Sequence, residues 1–276
     1  MENTISISRD HLFSLIRAGL DLETLEFQLS PDEIQGLFEF GKRQHILPII
    51  YWGLKQADTC LDSDVMKAVD SEWGRGVRRH VLQNEALKKI RNTLDEVQIP
   101  YIPLKGAVLQ NLYPSPEMRT CSDWDILVRE EDLARAVKAL ETEAGFKALD
   151  RAYHDVPLVD KHVHLELHFN LKEDMENIDR LLIRAWDFAE PSEEGSSYTL
   201  TPEFQIFHVV ANMSYHMAHG GLGIRSFIDL WLLRNETEYD EAVVEKMCGE
   251  CGILVFYQKA TGLQTCGWNG SRLRRI

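Results

Sequence analysis

The stretch Ser122-Asp123-Trp124-Asp125-Ile126-Leu127-Val128 decides the fold class of this chain. Its apolar end favours a buried strand, and its start carries two acids separated by one aromatic residue. Because successive side chains of a strand point to opposite faces, Asp123 and Asp125 share one face and Trp124 lies on the other. Two neighbouring carboxylates are costly to ionise together, and a divalent cation such as Mg²⁺ removes that cost. The alternative is a turn-capping Asp123 and a solvated Asp125.

A third acid lies in a segment that alternates with period two. From residue 162 to residue 169, His162, His164, Glu166 and His168 fall on one face, and Val163, Leu165, Leu167 and Phe169 fall on the other. This pattern predicts a half-buried strand. If it pairs beside the first strand, Glu166 joins the two aspartates, and three carboxylates hold two Mg²⁺ ions suited to phosphoryl transfer. Otherwise Glu166 is a charge on the wet side of its strand.

Candidate phosphate contacts precede the paired acids. Lys105 and Gly106 follow a strand-like segment, residues 98–103, and open a predicted helix that extends to Tyr113. A glycine at a helix start lets backbone N–H groups approach a phosphate. Lys105 and Arg119 supply the cations for charge-assisted contacts, and the alternative for each is a solvated surface charge.

The periodicity outside these motifs predicts an α+β fold. Residues 1–95 read as a helical N-terminal region, with apolar residues at helical spacing and no strand pattern. Residues 96–190 alternate strand and helix patterns and read as a small mixed-sheet core. A polar linker, residues 192–197, follows this core, and residues 191–276 read as a helical C-terminal region.

Composition excludes several classes of protein. The 276 residues are 44% hydrophobic and 27% charged, which is typical of a globular protein. Acidic residues number 44 and basic residues 30, and the net charge of −14 leaves no broad basic face for long nucleic acid. No apolar run approaches the ~20 residues that span a membrane, and the N-terminus lacks a signal-peptide pattern, so we expect a cytoplasmic location. The five scattered cysteines do not form a disulfide framework.

Histidines and one cysteine pair offer alternative metal ligands. Seven of the ten histidines lie between His154 and His219. His208, His216 and His219 share one face of a predicted helix, which is compatible with a zinc site or with packing near the cleft. His168 shares a strand face with Glu166 and is placed to touch a substrate or a metal-bound water. The lone Cys248-Gly249-Glu250-Cys251 motif reads as two ordinary thiols rather than a zinc site.

The order of these motifs resembles a known family. Leu104-Lys105-Gly106-Ala107, Leu112-Tyr113-Pro114, Arg119, residues 122–128 and residues 164–168 together are similar to the uncharacterised nucleotidyltransferase family of the DNA polymerase β-like superfamily. The resemblance covers roughly residues 95–235. It implies that Asp123 and Asp125 are the paired acids and Glu166 the third, that Gly106 belongs to the phosphate-binding turn, and that Ser122 contacts nucleotide. Ala107 departs from the superfamily pattern, which usually has Gly or Ser after the glycine.

The resemblance also implies accessory residues on the C-terminal helices. Arg225 and Asp229 are four residues apart, so they are spaced to pair across one helical turn. The family has similar residues here, which implies a role for Arg225 in closing the cleft. His216 is a further accessory candidate.

Together these observations predict a Mg²⁺-dependent nucleotidyltransferase. It would bind two Mg²⁺ ions and move a nucleoside monophosphate from a nucleoside triphosphate to an unidentified acceptor: a small molecule, a protein or a tRNA end. The alternatives are a non-catalytic nucleotide- or partner-binding protein with the same fold, and a metal-dependent hydrolase that uses the histidines with Asp123 and Glu166.

Overall fold

Four helices form the N-terminal part of the chain. The computed structural model describes residues 9–22, 29–56, 64–193 and 195–267, and its first helices are α1 (Arg9–Gly19), α2 (Pro31–Arg43), α3 (Leu47–Gln56) and α4 (Asp64–Glu96). A capping box begins α2, in which Ser30 accepts from the backbone N–H of Glu33 and the Glu33 carboxylate accepts from that of Ser30. Helices α1 and α3 touch closely because Gly19 and Gly53 lack side chains: a Cβ on Gly19 would lie 2.1 Å from the Ile49 carbonyl oxygen.

Helix α4 is continuous over 33 residues. Gly74 and Gly76 lie inside this helix without breaking it. Each glycine costs a helix about 1 kcal/mol relative to alanine. Packing does not require either glycine, because no described atom lies within 4 Å of where its Cβ would be. The buried residues of the second half, including Leu87, Ile90 and Leu94, compensate for that cost by packing against the sheet.

A five-stranded mixed sheet lies at the centre of the fold. Its strands are β1 (Tyr101–Pro103), β2 (Asp123–Val128), β3 (Lys147–Ala148), β4 (Asp155–Val159) and β5 (His164–His168), in the spatial order β1-β2-β5-β4-β3. Strands β2 and β5 are parallel, and the other three pairings are antiparallel. Trp124, Ile126 and Leu165 are buried in the apolar cluster behind the sheet. The predicted α+β class with a mixed sheet flanked by helices is confirmed.

The remaining elements are mostly helical. They are α5 (Gly106–Leu109), α6 (Leu133–Thr142), α7 (Glu176–Leu182), a hairpin of β6 (Ala189–Pro191) and β7 (Tyr198–Leu200), and then α8 (Pro202–His219), α9 (Ile224–Glu236), α10 (Glu241–Glu250) and α11 (Leu254–Gly267). The predicted polar linker, residues 192–197, therefore lies between two paired strands, and Ser197 bridges to Tyr101 of β1. None of the described helices is long and apolar enough to cross a membrane.

Helix α9 connects two apolar clusters. Its residues Ile228 and Leu232 are buried among the N-terminal helices α1–α3. Leu230 and Leu233 are buried in the cluster formed by α7, α8 and α10. Because opposite faces of α9 are both buried, the position of α9 relative to the sheet is fixed from both sides.

Candidate active site

Strands β2 and β5 bring three acids together. Their parallel register places Asp125 opposite Glu166 and Asp123 opposite His164. One potential ligand atom from each of Asp123, His164 and Glu166 lies within 4.8 Å of the others, and the same holds for Asp125, Glu166 and His168. The two groups share Glu166. Both contain carboxylate oxygens and one imidazole, a donor set that fits a divalent cation.

Asp125 is the most strongly neutralised of the acids. It is 4% exposed, and its Oδ1 atom lies 3.2 Å from both Lys105 Nζ and His168 Nε2. Burial alone would raise the pKa of this carboxyl, but the two cationic neighbours hold the pKa well below its usual range. Burial likewise favours neutral Lys105 and His168, yet the nearby carboxylates raise the pKa of both groups. Asp125 is therefore ionised at neutral pH, beside the Lys105 ammonium and the His168 ring.

Asp123 has the opposite electrostatic environment. Burial raises its pKa, and the negative charges of Asp125 and Glu166 raise it further. The Ser122 hydroxyl donates to Asp123 Oδ1 at 3.1 Å and offsets only part of this effect. A bound cation would relieve this repulsion, which makes Asp123 a suitable metal ligand.

The turn before the cluster is strained at Lys105. Its backbone has φ 37° and ψ −108°, a sparsely populated conformation that costs a non-glycine residue about 1–3 kcal/mol. The preceding residue is held in place because the Leu104 N–H donates to the Asp125 carbonyl oxygen at 2.9 Å. The strain turns the chain so that Lys105 Nζ reaches Asp125.

Gly106 is required by packing. It begins a helix of only four residues, and a Cβ here would lie 2.4 Å from Cys121 Sγ and 3.1 Å from Arg119 Nη1. The sequence motif predicts that this glycine lies in a phosphate-binding turn. Packing gives a second reason for it, since the turn is pressed against the segment that leads into β2.

We expect Gly106→Ala to destabilise the protein by about 1–3 kcal/mol, because the added methyl group overlaps Cys121. Thermal melting of Gly106→Ala, Cys121→Ala and the double variant tests the contact. The double variant should recover part of the loss. Additive effects of the two substitutions would contradict the proposed overlap.

Arg119 forms a buried ion pair with an acid on α9. It is 7% exposed, and its Nε and Nη2 atoms donate to the two carboxylate oxygens of Asp229, both at 2.9 Å. The Tyr113 hydroxyl donates to the same carboxylate at 2.7 Å. The predicted Arg225–Asp229 pair is therefore wrong, and Arg225 instead donates to the Thr120 carbonyl oxygen at 2.8 Å. The Arg119–Asp229 pair fixes the segment before β2 on α9. Arg119 also lines the cleft, so its contact with a phosphate stays a prediction.

A cleft of about 290 Å³ opens in front of the acids. The core contributes Lys105, Gly106, Ser122 and all three acids to its walls, together with Arg119 and Cys121, and the C-terminal helices contribute Asn212, His216 and Arg225. His168 lies instead in an adjoining cavity. Sequence reasoning missed Asn212, because a single polar residue on a helix carries no recognisable signal.

The alternative metal sites do not form. Within the described residues, neither group of potential metal ligands includes His208, His216, His219 or a cysteine. His208 is buried, whereas His219 is exposed and bonds to the Tyr215 carbonyl oxygen. Cys248 and Cys251 are buried, and burial raises the pKa of Cys248 to about 12, so both are unreactive thiols.

Two solved structures show a distant similarity to this chain. One is the solution structure of the antibiotic-resistance factor ANT(2'')-Ia, with 12% identity and a TM-score of 0.47, covering 66% of this chain and 95% of that protein. The other is the crystal structure of an antigenic nucleotidyltransferase-like protein from Paracoccidioides brasiliensis, with 15% identity, a TM-score of 0.45 and coverage of 68% and 91%. No curated protein matches the chain.

A family model described as an uncharacterised nucleotidyltransferase matches residues 30–266. The match includes both strands that carry the acids, the Lys105 turn and the helices that complete the cleft. It confirms the resemblance found in the sequence motifs. Since the model covers most of the chain, the protein belongs to this nucleotidyltransferase family and is a transferase.

Proposed function

We propose that the protein transfers a nucleoside monophosphate from a nucleoside triphosphate to an acceptor hydroxyl in a Mg²⁺-dependent reaction. The observation that carries the proposal is the convergence of Asp123, Asp125 and Glu166 from two parallel strands on one cleft that also contains Lys105 and Arg225. This arrangement pairs a cation-binding site with positive groups that suit phosphate oxygens.

Asp123, Asp125 and Glu166 would hold the Mg²⁺ ions, and two ions fit the two ligand groups that share Glu166. When bound, Mg²⁺ neutralises charge on the phosphates and on the attacking oxygen. Lys105, Arg225 and Ser122 would orient the triphosphate, and His216 would line its path. The acceptor oxygen bonds to the α-phosphorus as the bond to pyrophosphate breaks. Glu166 accepts the hydroxyl proton, and pyrophosphate leaves.

A metal-dependent hydrolase is the second candidate, because His164 joins Asp123 and Glu166 in one ligand group. The imidazole suits Mn²⁺ or Zn²⁺ better than Mg²⁺. The two functions differ in the molecule that receives the nucleoside monophosphate: an acceptor hydroxyl in transfer, and water in hydrolysis. Incubation with each labelled triphosphate and Mg²⁺, followed by mass spectrometry of the protein and of a small-molecule acceptor panel, separates them. A nucleotidylated product supports transfer, and free nucleotide alone supports hydrolysis.

Lys105→Ala is expected to weaken triphosphate binding more than metal binding. Hydrogen bonds to charged groups contribute about 1.5–3 kcal/mol, so the affinity should fall by roughly ten- to a hundredfold. Isothermal titration calorimetry with Mg²⁺ and a non-hydrolysable triphosphate measures the change, and Mg²⁺ titrated alone measures the metal site. Lys246→Ala, which removes an exposed lysine of α10, is the matched control. Unchanged triphosphate affinity in Lys105→Ala would remove Lys105 from the phosphate site.

A further inference from the structure

A second cavity of about 130 Å³ adjoins the cleft. The two spaces share Lys105, Glu166, Asn212 and His216 as a common wall. A group bound in the second cavity would therefore lie beside Glu166. Pockets that enclose a whole drug-sized ligand measure about 300–1,000 Å³, so only a small group enters this one.

Four histidines line this cavity, and two of them leave a ring nitrogen without a partner among the described residues. The Nδ1 atoms of His154 and His168 are buried and lack a partner among the described residues. His208 is 3% exposed and lines the same cavity. His168, 4% exposed, reaches Asp125 and Glu166 only through Nε2. The rest of the wall is amide and charged side chains, with Leu104 and Leu171 as its two apolar members, so the cavity suits a polar ligand.

The charges of the cavity select against ionised ligands. Lys105 and Lys172 are balanced by Glu166 and Glu173, and Glu173 accepts from the Asn212 amide at 3.0 Å. Burial and the nearby charge of Lys105 lower the pKa of His208 to about 3, so this ring is neutral. A neutral imidazole offers one donor and one acceptor. A hydroxyl group, which both donates and accepts, complements it better than a phosphate or an ammonium group does.

We propose that this second cavity binds the acceptor, and that the acceptor end is a small uncharged polyhydroxyl group, such as a polyol or a single sugar ring. His208 and Asn212 would hold its outer hydroxyls. A further hydroxyl would face Glu166 across the shared wall. The inference rests on the proposed function and specifies its acceptor class.

The test first measures binding without a triphosphate. Glucose, myo-inositol and glycerol are the neutral probes, glucose 6-phosphate is the anionic probe, and glucosamine is the cationic probe. Binding of each probe is measured by saturation-transfer NMR and by the histidine side-chain resonances of ¹⁵N-labelled protein. We expect a neutral probe to bind at millimolar concentration or better and to shift the His208 resonances. We expect His208→Phe, which keeps the ring but removes both nitrogens, to weaken this binding at least tenfold. His219→Phe, on the exposed end of the same helix, should bind like the wild type.

Several outcomes would overturn the inference. They are preferential binding of a charged probe, equal binding to wild type and His208→Phe, and no binding of any probe. Weaker Mg²⁺–triphosphate binding in His208→Phe would also overturn it, because the cavity would then hold part of the donor. The proposed function is judged separately by Mg²⁺-dependent triphosphate binding in wild type. Its failure alongside positive probe binding would show a polyol site without nucleotidyl transfer.

Discussion

Asp125→Asn should lower nucleotidyl transfer at least about a hundredfold, the scale of loss when one group that stabilises transition-state charge is removed. Asn keeps the size of the side chain but removes the charge that binds cations. Asp123→Asn should lower transfer to a similar extent, because both acids would hold the ions. Initial rates with labelled triphosphate measure the effect, and Asp150→Asn, an exposed substitution, is the control. Equal, Mg²⁺-independent triphosphate binding in wild type and Asp125→Asn would shift the assignment to a non-catalytic protein.

The same two variants should change stability in opposite directions. Asp125 lies between Lys105 and His168, so its loss leaves the half-buried Lys105 ammonium and the buried His168 ring without this carboxylate and should cost about 1–3 kcal/mol. We expect Asp123→Asn to raise the melting temperature in EDTA, because burial and neighbouring acids already disfavour its ionised form. From the sequence alone, relief of repulsion between adjacent acids would be expected to raise the melting temperature of Asp125→Asn as well. Melting temperatures that change by the same amount in both variants would contradict the assigned charge distribution.

The pH dependence of stability follows from the directions of the two pKa shifts. The depressed pKa of Asp125 means that its contribution is present above the unfolded pKa, about 3.9, and is lost as the pH falls through the folded value. The raised pKa of Asp123 has the opposite sign: its ionisation costs stability, and this cost shrinks as the pH falls through the folded pKa and is gone below the unfolded pKa. In EDTA, the advantage of Asp123→Asn over wild type should therefore shrink as the pH falls from 7 towards 4.

The features that sequence predicted correctly depend on local patterns. The shared face of Asp123 and Asp125 follows from period two alone, and the position of Glu166 needed only the pairing of two strands. Strand β4 was missed because Asp155-Val156-Pro157-Leu158-Val159 does not alternate cleanly and contains a proline. The β6–β7 hairpin was missed because its turn, residues 192–197, has the composition of a linker.

Contacts between distant parts of the chain could not be predicted in this way. Arg119 and Asp229 are separated by 110 residues, and a local rule paired Asp229 with Arg225 instead. Only the burial of both faces of α9 places the Asp229 carboxylate beside the segment before β2. The second cavity could not be predicted from the sequence either, because its histidines come from β5, from α8 and from the residue before β4. Residues that share a face of one strand can be predicted from the sequence. The residues that form the walls of a cleft cannot, because tertiary packing brings them together from distant parts of the chain.

Asp229→Asn should be the most destabilising single substitution at the site. Arg119 and Asp229 are 7% and 5% exposed, and the carboxylate also accepts from Tyr113. Removing one partner of a buried ion pair costs about 3–5 kcal/mol, because the other charge stays buried without compensation. Tyr113→Phe removes one hydrogen bond from the same carboxylate and should cost about 1 kcal/mol. Chemical denaturation measures both effects.

A double variant separates two contributions to the free energy of unfolding: the cost of leaving one buried charge unpaired, and the net contribution of the ion pair. Arg119→Met with Asp229→Leu replaces both charges by apolar side chains, and we expect it to recover most of the stability lost in Asp229→Asn. Its transfer activity should nevertheless stay low. The Arg119–Asp229 pair attaches the segment before β2 to α9, and this segment positions Ser122 and Asp123. If Asp229→Asn is no worse than Tyr113→Phe, the pair is not the main anchor of this segment. If the double variant regains wild-type transfer, apolar packing of α9 alone positions the acids.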